Sequence, residues 1–406
     1  MAQAARRPRI VVLNQYYWPG VEATAHLLTE LCEALAEEYE VEVVTGVLHG
    51  HEDEPRELER NGVRIVRVSS TAYERAELGR RAANYFSYLG FALAHALRGP
   101  APDLVLCMTD PPIVGDAGVL VGRRFGVPVL VISQDVFPEI ATELGRLGNP
   151  AVVGVLRMLV GAYLRRADRI VAIGETMRRR LEAKGASPDC LRVIPNWVDT
   201  SAITPQPRDN SWAQSHGLES KFVVMHSGNV GHAQDLDSLV RAATFLRDLD
   251  DLLIVIAGFG ARHGEMVELS KRLDVEDTVR FLPYQKRKRL PLSLSSADLH
   301  VVGLAKGLAG YVVPSRLYGV LSAGRPVIAA ADEDSETARL VSEVGCGLVI
   351  GPGRPELLAR TIRAARDGAY DLEAMGRRGR DYVEREADRS VAMERYRKLV
   401  AELLAA

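Results

Sequence analysis

The stretch Pro314-Ser315-Arg316-Leu317-Tyr318-Gly319 follows an apolar run at Leu299–Val302 and a loop over 306–313. Pro314 suits the first turn of a helix, and Ser315 is a residue type that caps one. Arg316 then falls in that first turn, where a cation opposes the helix dipole. The placement makes sense if the cation meets a bound anion, because a guanidinium grips a diphosphate through charge-assisted bonds. The plain alternative is a solvent-facing arginine near a helix start. Gly307 and Gly310 let the preceding loop pass close to a ligand, or serve only as turn residues.

Three further stretches carry chemistry-bearing side chains. Ser227-Gly228-Asn229-Val230-Gly231 directly follows an apolar strand, and a helical pattern begins near Asp235. A glycine-bearing turn between strand and helix lets backbone N–H groups approach a phosphate; the same glycines also suit an ordinary tight turn. No Gly-Lys-Ser/Thr follows, so this is not a P-loop. Ser133-Gln134-Asp135-Val136-Phe137-Pro138-Glu139 sets an amide and two carboxylates after another strand. Asp135 is a candidate to orient an acceptor hydroxyl or act as a base; its alternative role is to cap a helix beginning near Pro138. Asn14-Gln15-Tyr16-Tyr17-Trp18-Pro19-Gly20 follows the first strand. Gln15, Tyr17 and Trp18 are of the types that contact sugars; the alternative is a surface loop anchored by aromatics. Glu22 is a second candidate acid or base.

The elements that must position these residues follow a strand–helix rhythm. Predicted strands in the first half are Ile10–Leu13, Val41–Thr45, Val63–Val68, Leu104–Met108, Val129–Ile132, Ile170–Ile173 and Leu191–Ile194. Most are continuous apolar runs, as expected when helices cover both faces of a parallel sheet. The stretch Pro195–Pro207 interrupts the rhythm and reads as a linker. A second series follows, with strands at Phe222–His226, Leu252–Ala257, Val279–Leu282, Leu299–Val302, Val327–Ala330 and Gly347–Ile350. Asp371 to Leu404 is charged and helical, and predicts a long terminal helix returning to the first domain. The expected fold is α/β: two Rossmann-like domains over 1–200 and 201–385, facing across a cleft, with a C-terminal helix over 386–406.

Composition narrows the field. The 406 residues suit two domains, and 47% hydrophobic with 26% charged residues is the make-up of a globular protein. The net charge of −2 gives no global field towards nucleic acid. The four cysteines, Cys32, Cys107, Cys190 and Cys346, have no metal or redox spacing, and Cys107 reads as a small core residue. No signal peptide and no membrane-spanning stretch is evident, which predicts a cytoplasmic chain with surface attachment to a membrane open. Tyr73–Leu97 bears on that attachment. Arg75, Arg80 and Arg81 lead into an aromatic-apolar helix, which reads as a core helix with a charged entry, the arginine flank being a candidate membrane contact.

Together these motifs resemble the retaining glycosyltransferases of family 4, which have the GT-B fold, over nearly the whole chain. The likeness is closest to transferases of colanic-acid and O-antigen biosynthesis, including those assigned to N-acetylfucosamine. The matching stretches are Gln15–Pro19, Gln134–Glu139, Ala167–Glu175, Val193–Asp199, Gly228–Gln234, Val312–Tyr318 and Ala323–Ile328. The resemblance implies a nucleotide-sugar donor, UDP-linked, on the second domain and a polyprenyl-diphosphate-linked or glycan acceptor on the first, at the inner face of the cytoplasmic membrane. It implies that Gly228 and Asn229 approach the phosphates, that Ser315, Arg316 and Leu317 complete the diphosphate site, and that Leu282, Pro283, Tyr284 and Gln285 meet the base. It implies no cofactor and no metal ion.

The chain also departs from the family. An arginine and a lysine common after the strand opening the second domain are matched here by Asn229 and Gln234, which throws more weight on Arg316 and Lys306. Two glutamates eight positions apart are matched by Tyr311 and Gly319, and a His-Asp pair by Gln134-Asp135. Two rivals stand beside the transferase reading: a nucleotide-sugar 2-epimerase on the same fold, and a catalytically silent sugar-nucleotide-binding protein. A dinucleotide oxidoreductase lacks its Gly-x-Gly-x-x-Gly fingerprint after the first strand.

Overall fold

The computed structural model describes residues 6–20, 22–71 and 78–405, without the side chains of 78–81. It divides into two compact units, Met1–Pro195 with Met393–Ala406, and Asn196–Ala392. Elements of the first unit are β1 (Arg9–Leu13), α1 (Ala23–Leu35), β2 (Glu40–Thr45), β3 (Glu57–Arg60), β4 (Val63–Arg67), α2 (Leu78–Arg98), β5 (Leu104–Met108), α3 (Val114–Phe125), β6 (Val129–Ser133), α4 (Glu139–Glu143), α5 (Pro150–Leu164), β7 (Arg169–Ala172), α6 (Glu175–Ala183) and β8 (Leu191–Val193). Those of the second are α7 (Ser211–Ser215), β9 (Phe222–Ser227), α8 (Leu236–Ala242), β10 (Leu252–Ala257), α9 (His263–Arg272), β11 (Val279–Leu282), α10 (Leu290–Ser295), β12 (Leu299–Gly303), α11 (Arg316–Ser322), β13 (Val327–Ala330), α12 (Glu336–Val344), β14 (Gly347–Ile350), α13 (Pro355–Arg366) and α14 (Leu372–Glu386). The last helix, α15, spans Arg389–Ala405.

Each unit is built on one sheet. The first has strand order β3-β4-β2-β1-β5-β6-β7-β8 and the second β11-β10-β9-β12-β13-β14. Both are parallel except for β3, which pairs antiparallel with β4. The continuous apolar runs become strands buried on both faces: every residue of β1, β5 and β10 is buried. In the second unit one core cluster joins Val224, Ile254, Val301 and Ile328 to α8, α9 and α13, and another joins Val302, Val327 and Ala329 to α11 and α12. Burying strands on both faces is what forces the helices onto both sides.

Two features depart from the sequence expectation. Strand β3 carries Glu-Leu-Glu-Arg, with no apolar run to betray it. It is an edge strand, tied by Glu57 to Arg64 at 3.0 Å, and charge on an edge strand discourages pairing with other chains. The single long terminal helix is two helices, α14 and α15, broken at Ala387–Asp388. The Asp388 carboxylate accepts from Ser390 N–H at 2.8 Å and from Thr200 Oγ1 at 2.6 Å. Arg389 N–H donates to the Val198 carbonyl at 2.9 Å. These local bonds compete with the helical ones and end α14 there.

Helix α3 lies close on the first sheet because three glycines face its neighbours. A Cβ on Gly115 would come within 2.6 Å of the Tyr163 ring, one on Gly118 would strike Cys107 Sγ, and one on Gly122 would strike Val129. Cys107 is therefore the small core residue its surroundings predict, fully buried against Gly118. Gly118→Ala gains up to about 1 kcal/mol of helix propensity. Against this, overpacking costs about 1–3 kcal/mol. We expect net destabilisation in urea unfolding, and relief of at least about 1 kcal/mol when Gly118→Ala is made in a Cys107→Ala background. Additive single and double mutants would show that the two residues do not press on each other.

Candidate active site

In an open parallel sheet the ligand crevice lies beyond the carboxyl ends of the strands, where the strand order reverses. In the second unit that reversal falls between β9 and β12. Two of the sequence motifs follow those two strands: Gly228–Gln234 after β9, and the 304–315 loop with Arg316 after β12. They are joined by Ala305 N–H to the Ala233 carbonyl at 2.8 Å. Arg316 opens α11, as its sequence context predicts. A Cβ on Gly228 would lie 3.8 Å from Arg316 Nε, so the glycine turn and the arginine are neighbours.

Gly228 has φ of +139°, a conformation side chains disfavour. Its N–H does not face outward. It donates to the Ala257 carbonyl at 2.9 Å, Val230 N–H donates to Phe259 O at 3.0 Å, and Gly231 N–H is taken by Gln234 Oε1 at 3.0 Å. The expectation that this turn offers a row of amides to phosphate is thus corrected for Gly228. Its donor is used in the loop, and its contribution is the missing side chain beside Arg316. Asn229 is exposed, and its side chain lies against Gly260.

Arg316 is partly exposed and has an unusual partner. Its Nη1 sits 3.1 Å from Nδ1 and 3.0 Å from Nε2 of His226, a residue with no exposed surface. Crowding pushes the Arg316 pKa down to about 10, and no acidic side chain among the described residues offsets it. Three arginines that brace this unit are answered by carboxylates: Arg262 by Asp237, Arg208 by Asp298 at 3.1 Å, and Arg366 by Asp251 at 2.7 Å. Burial and the Arg316 charge hold the His226 imidazole well below its ordinary pKa, so the ring is neutral.

The remaining residues expected around the donor take varied places. Ser315 stands at the N-cap position of α11 but has helical dihedrals and makes no side-chain cap bond, which corrects the capping expectation. Leu317 is fully buried in the core beneath α11, and its N–H is bonded to the Pro314 carbonyl at 3.2 Å. Gly310 is buried with φ of +76°, and Lys306 is exposed on the same loop. In the stretch after β11, the Leu282 carbonyl accepts from Gly258 N–H at 3.0 Å. Gln285 is buried, with Oε1 accepting from Trp212 Nε1 at 3.0 Å, while Pro283 and Tyr284 are exposed. Tyr311 is partly exposed, whereas a side chain on Gly319 would point towards Leu294 and Ile203. A carboxylate there would face apolar groups, so Gly319 is not a vacated sugar contact.

In the first unit the order reverses between β1 and β5. Asn14 Oδ1 accepts from Asp110 N–H at 3.2 Å, and Gln15 N–H donates to the Asp110 carbonyl at 2.7 Å. The Gln134 N–H donates to Thr109 Oγ1 at 3.0 Å, which brings the third loop alongside. Gln15 and Gln134 are both buried, and Asp135 is partly exposed. Helix α4 begins after Pro138 with no side-chain cap, so Asp135 does not cap it. Glu139 is instead locked to Lys184 at 2.7 Å and Arg157 at 3.1 Å. Tyr17 is 1% exposed with its hydroxyl against Cys32 and Thr29, so it anchors the loop. The Trp18 ring has Arg60 and Arg67 over it, at 5.1 and 5.7 Å from the centroid. Glu22 stands just before α1, within a turn of Gly20.

Sequence reading missed four residues here. His226 looked like the apolar end of a strand. Asp110, whose carboxylate accepts from Thr24 Oγ1 at 2.9 Å, stood outside any motif. Gly258 and Gly260 form a Gly-Phe-Gly directly after β10, a signal that was available. A Cβ on Gly258 would run into the Gly228 carbonyl, and one on Gly260 into Asn229 and Val230.

Comparison with known proteins agrees with this architecture. Residues 19–197 match the model of the glycosyl transferase 4-like domain, and residues 209–382 that of glycosyl transferases group 1. The chain is 28% identical to WbjE of Pseudomonas aeruginosa, named a probable glycosyltransferase, over 80% of this chain and 81% of that one. It is 24% identical to WcaI of Escherichia coli strain K12, assigned to colanic acid biosynthesis, over 77% of each. Among solved structures it is similar to Anabaena Alr3699/HepE in complex with UDP, with TM-score 0.74 and 14% identity over 97% of this chain and all of that one. Two Rossmann-like units, each with polar loops gathered where its strand order reverses, and matches to both family models across most of the chain, make this protein a glycosyltransferase of the family 4 type with the GT-B fold.

Proposed function

We propose that this enzyme transfers a sugar from a UDP-linked donor, with retention of anomeric configuration, to a lipid-linked or glycan acceptor in the building of a surface polysaccharide. The observation that carries the reading is Arg316, a cation beside Gly228 at the switch point with no acidic side chain among the described residues to neutralise it. The UDP held by the Anabaena relative and the polysaccharide assignment of WcaI support the donor and the pathway class.

As the glycosidic bond to the diphosphate lengthens, negative charge builds on the leaving oxygens. Arg316 stabilises that charge, with Lys306 on the loop that leads into it, and a preorganised donor of this kind is worth roughly 100-fold or more in rate. Side-chain cations thus do the work that a metal ion does in other transferases, and activity in EDTA is expected. The acceptor hydroxyl, oriented by Asp135 or Glu22 among the amides of the first unit, attacks from the face the leaving group vacates and gives its proton to the departing diphosphate oxygen.

A lipid-linked acceptor also calls for contact with a membrane surface, and two helices bear on where. The sequence points to α2, but Arg75 lies outside the described residues, as do the side chains of Arg80 and Arg81. In α2 itself Tyr88 is buried and donates to the Val44 carbonyl at 2.9 Å, while Phe86 and Phe91 are exposed. No helix among the described residues is long and apolar enough to cross a membrane. Helix α5 offers a more continuous outward face, with Val152, Val155 and Met158 exposed and Arg165 and Arg166 at its end. Apolar side chains flanked by arginine suit an anionic lipid surface.

Two experiments test these points. Transfer of radiolabelled sugar from UDP-glucose and related donors to a membrane extract should fall by roughly 100-fold in Arg316→Ala. Full activity in that variant would remove the phosphate role, and product from donor alone would mark an epimerase. The wild type should float with vesicles of 30% anionic lipid, and a Val155→Glu, Met158→Glu double variant should not; equal flotation would exclude α5.

A further inference from the structure

The imidazole of His226 is a buried titratable group that the transfer chemistry leaves without a role, and its geometry gives it one. Arg316 Nη1 is nearly equidistant from the two ring nitrogens, at 3.1 and 3.0 Å. Those nitrogens flank a single carbon. An atom equidistant from both cannot lie in the ring plane without striking that carbon, so Nη1 rests over the ring face. Arginine readily packs on aromatic faces.

The ring itself is fixed at its edges. Nε2 lies 3.3 Å from the Asn229 carbonyl, and the Val301 backbone of β12 also bonds the ring. His226 is thereby tied to the loop after β9 and to strand β12, the two neighbours at the switch point. The charged groups facing it are Arg316 on α11 and, more weakly, His300 on β12. His300 is itself buried, with its pKa lowered to about 4, so it brings no charge. A protonated ring would sit against the Arg316 charge, and the full burial of His226 disfavours it further.

We propose that His226 is the positioning residue of the phosphate site: its flat, uncharged ring seats the Arg316 guanidinium and leaves that cation whole for the diphosphate of the donor. This rests on the donor reading above. A carboxylate at position 226 would seat the arginine equally well and neutralise it. An aliphatic side chain would leave it charged but loose. A neutral aromatic does neither.

Calorimetric titration with UDP, with thermal unfolding of each protein, separates these cases. His226→Phe keeps a flat neutral ring and should weaken UDP binding by no more than about 5-fold. His226→Ala removes the seat and should weaken it by at least about 20-fold. His226→Asp, folded and with unfolding temperature near wild type, should weaken it by about 100-fold or more, because the new carboxylate competes with the diphosphate for Arg316. If His226→Asp does not fold, the Phe and Ala variants decide. Phe binding as poorly as Ala, Ala binding as well as wild type, or a folded Asp variant with wild-type affinity would each overturn the proposal. Failure of the donor reading looks different: there the wild type binds UDP no better than Arg316→Ala does.

Discussion

A guanidinium in a crowded site is stable only when some group answers its charge. In the second unit Arg262, Arg208 and Arg366 each meet carboxylates. Arg316 meets an imidazole face and the edge of a glycine turn. That asymmetry organises its surroundings. The turn takes a φ of +139° at Gly228 that side chains disfavour, and Gly258 must lack a side chain so that the Gly228 carbonyl can lie against it. His226 must stay neutral, which its full burial secures. The folded protein tolerates this charge without a carboxylate because Arg316 is partly exposed, so solvent shares in answering it.

The same sheet geometry explains why the site is where it is. Strands buried on both faces need helices on both sides, and the chain must change direction of winding once in each sheet. At that place two adjacent loops diverge instead of crossing, and a gap opens at the carboxyl edge. Residues separated by 90 positions, His226 and Arg316, meet there because β9 and β12 are neighbours. In the first unit the neighbours β1 and β5 bring Asn14 to Asp110 in the same way.

The strands were legible because a strand covered on both sides leaves a continuous apolar signature, as in Leu104–Met108 or Leu252–Ala257. Arg316 was legible because a cation at a helix start breaks a local rule. Strand β3 was not, since an edge strand of charged residues has no apolar period to detect. Nor was the break at Asp388, because the bonds that end α14 come from Val198 and Thr200, far back in the sequence. His226 was hidden for a related reason. A histidine in an apolar run looks like part of the strand, and only the arrival of Arg316 over its face gives it a different meaning. Gly228 was legible as a turn but not in its donors, because the carbonyl that takes its N–H belongs to β10.

The two switch points differ in chemistry as well as position. In the second unit Arg316 has no carboxylate partner among the described residues, which suits a ligand carrying its own negative charge. In the first unit the charges are largely spent inside the protein: Glu139 on Lys184 and Arg157, and Glu42 on Arg9, Arg64 and His95. What gathers at the loops after β1, β5 and β6 is chiefly amide, from Asn14, Gln15 and Gln134, with Asp110 and Asp135 beside them. Amides bond neutral hydroxyls in either direction and hold anions weakly, since they carry no charge. A chain that keeps an unanswered cation on one unit and amides with two carboxylates on the other is equipped for two unlike molecules, one anionic and one rich in hydroxyls. The proposed transfer from a nucleotide diphosphate to a sugar alcohol would draw on that pairing.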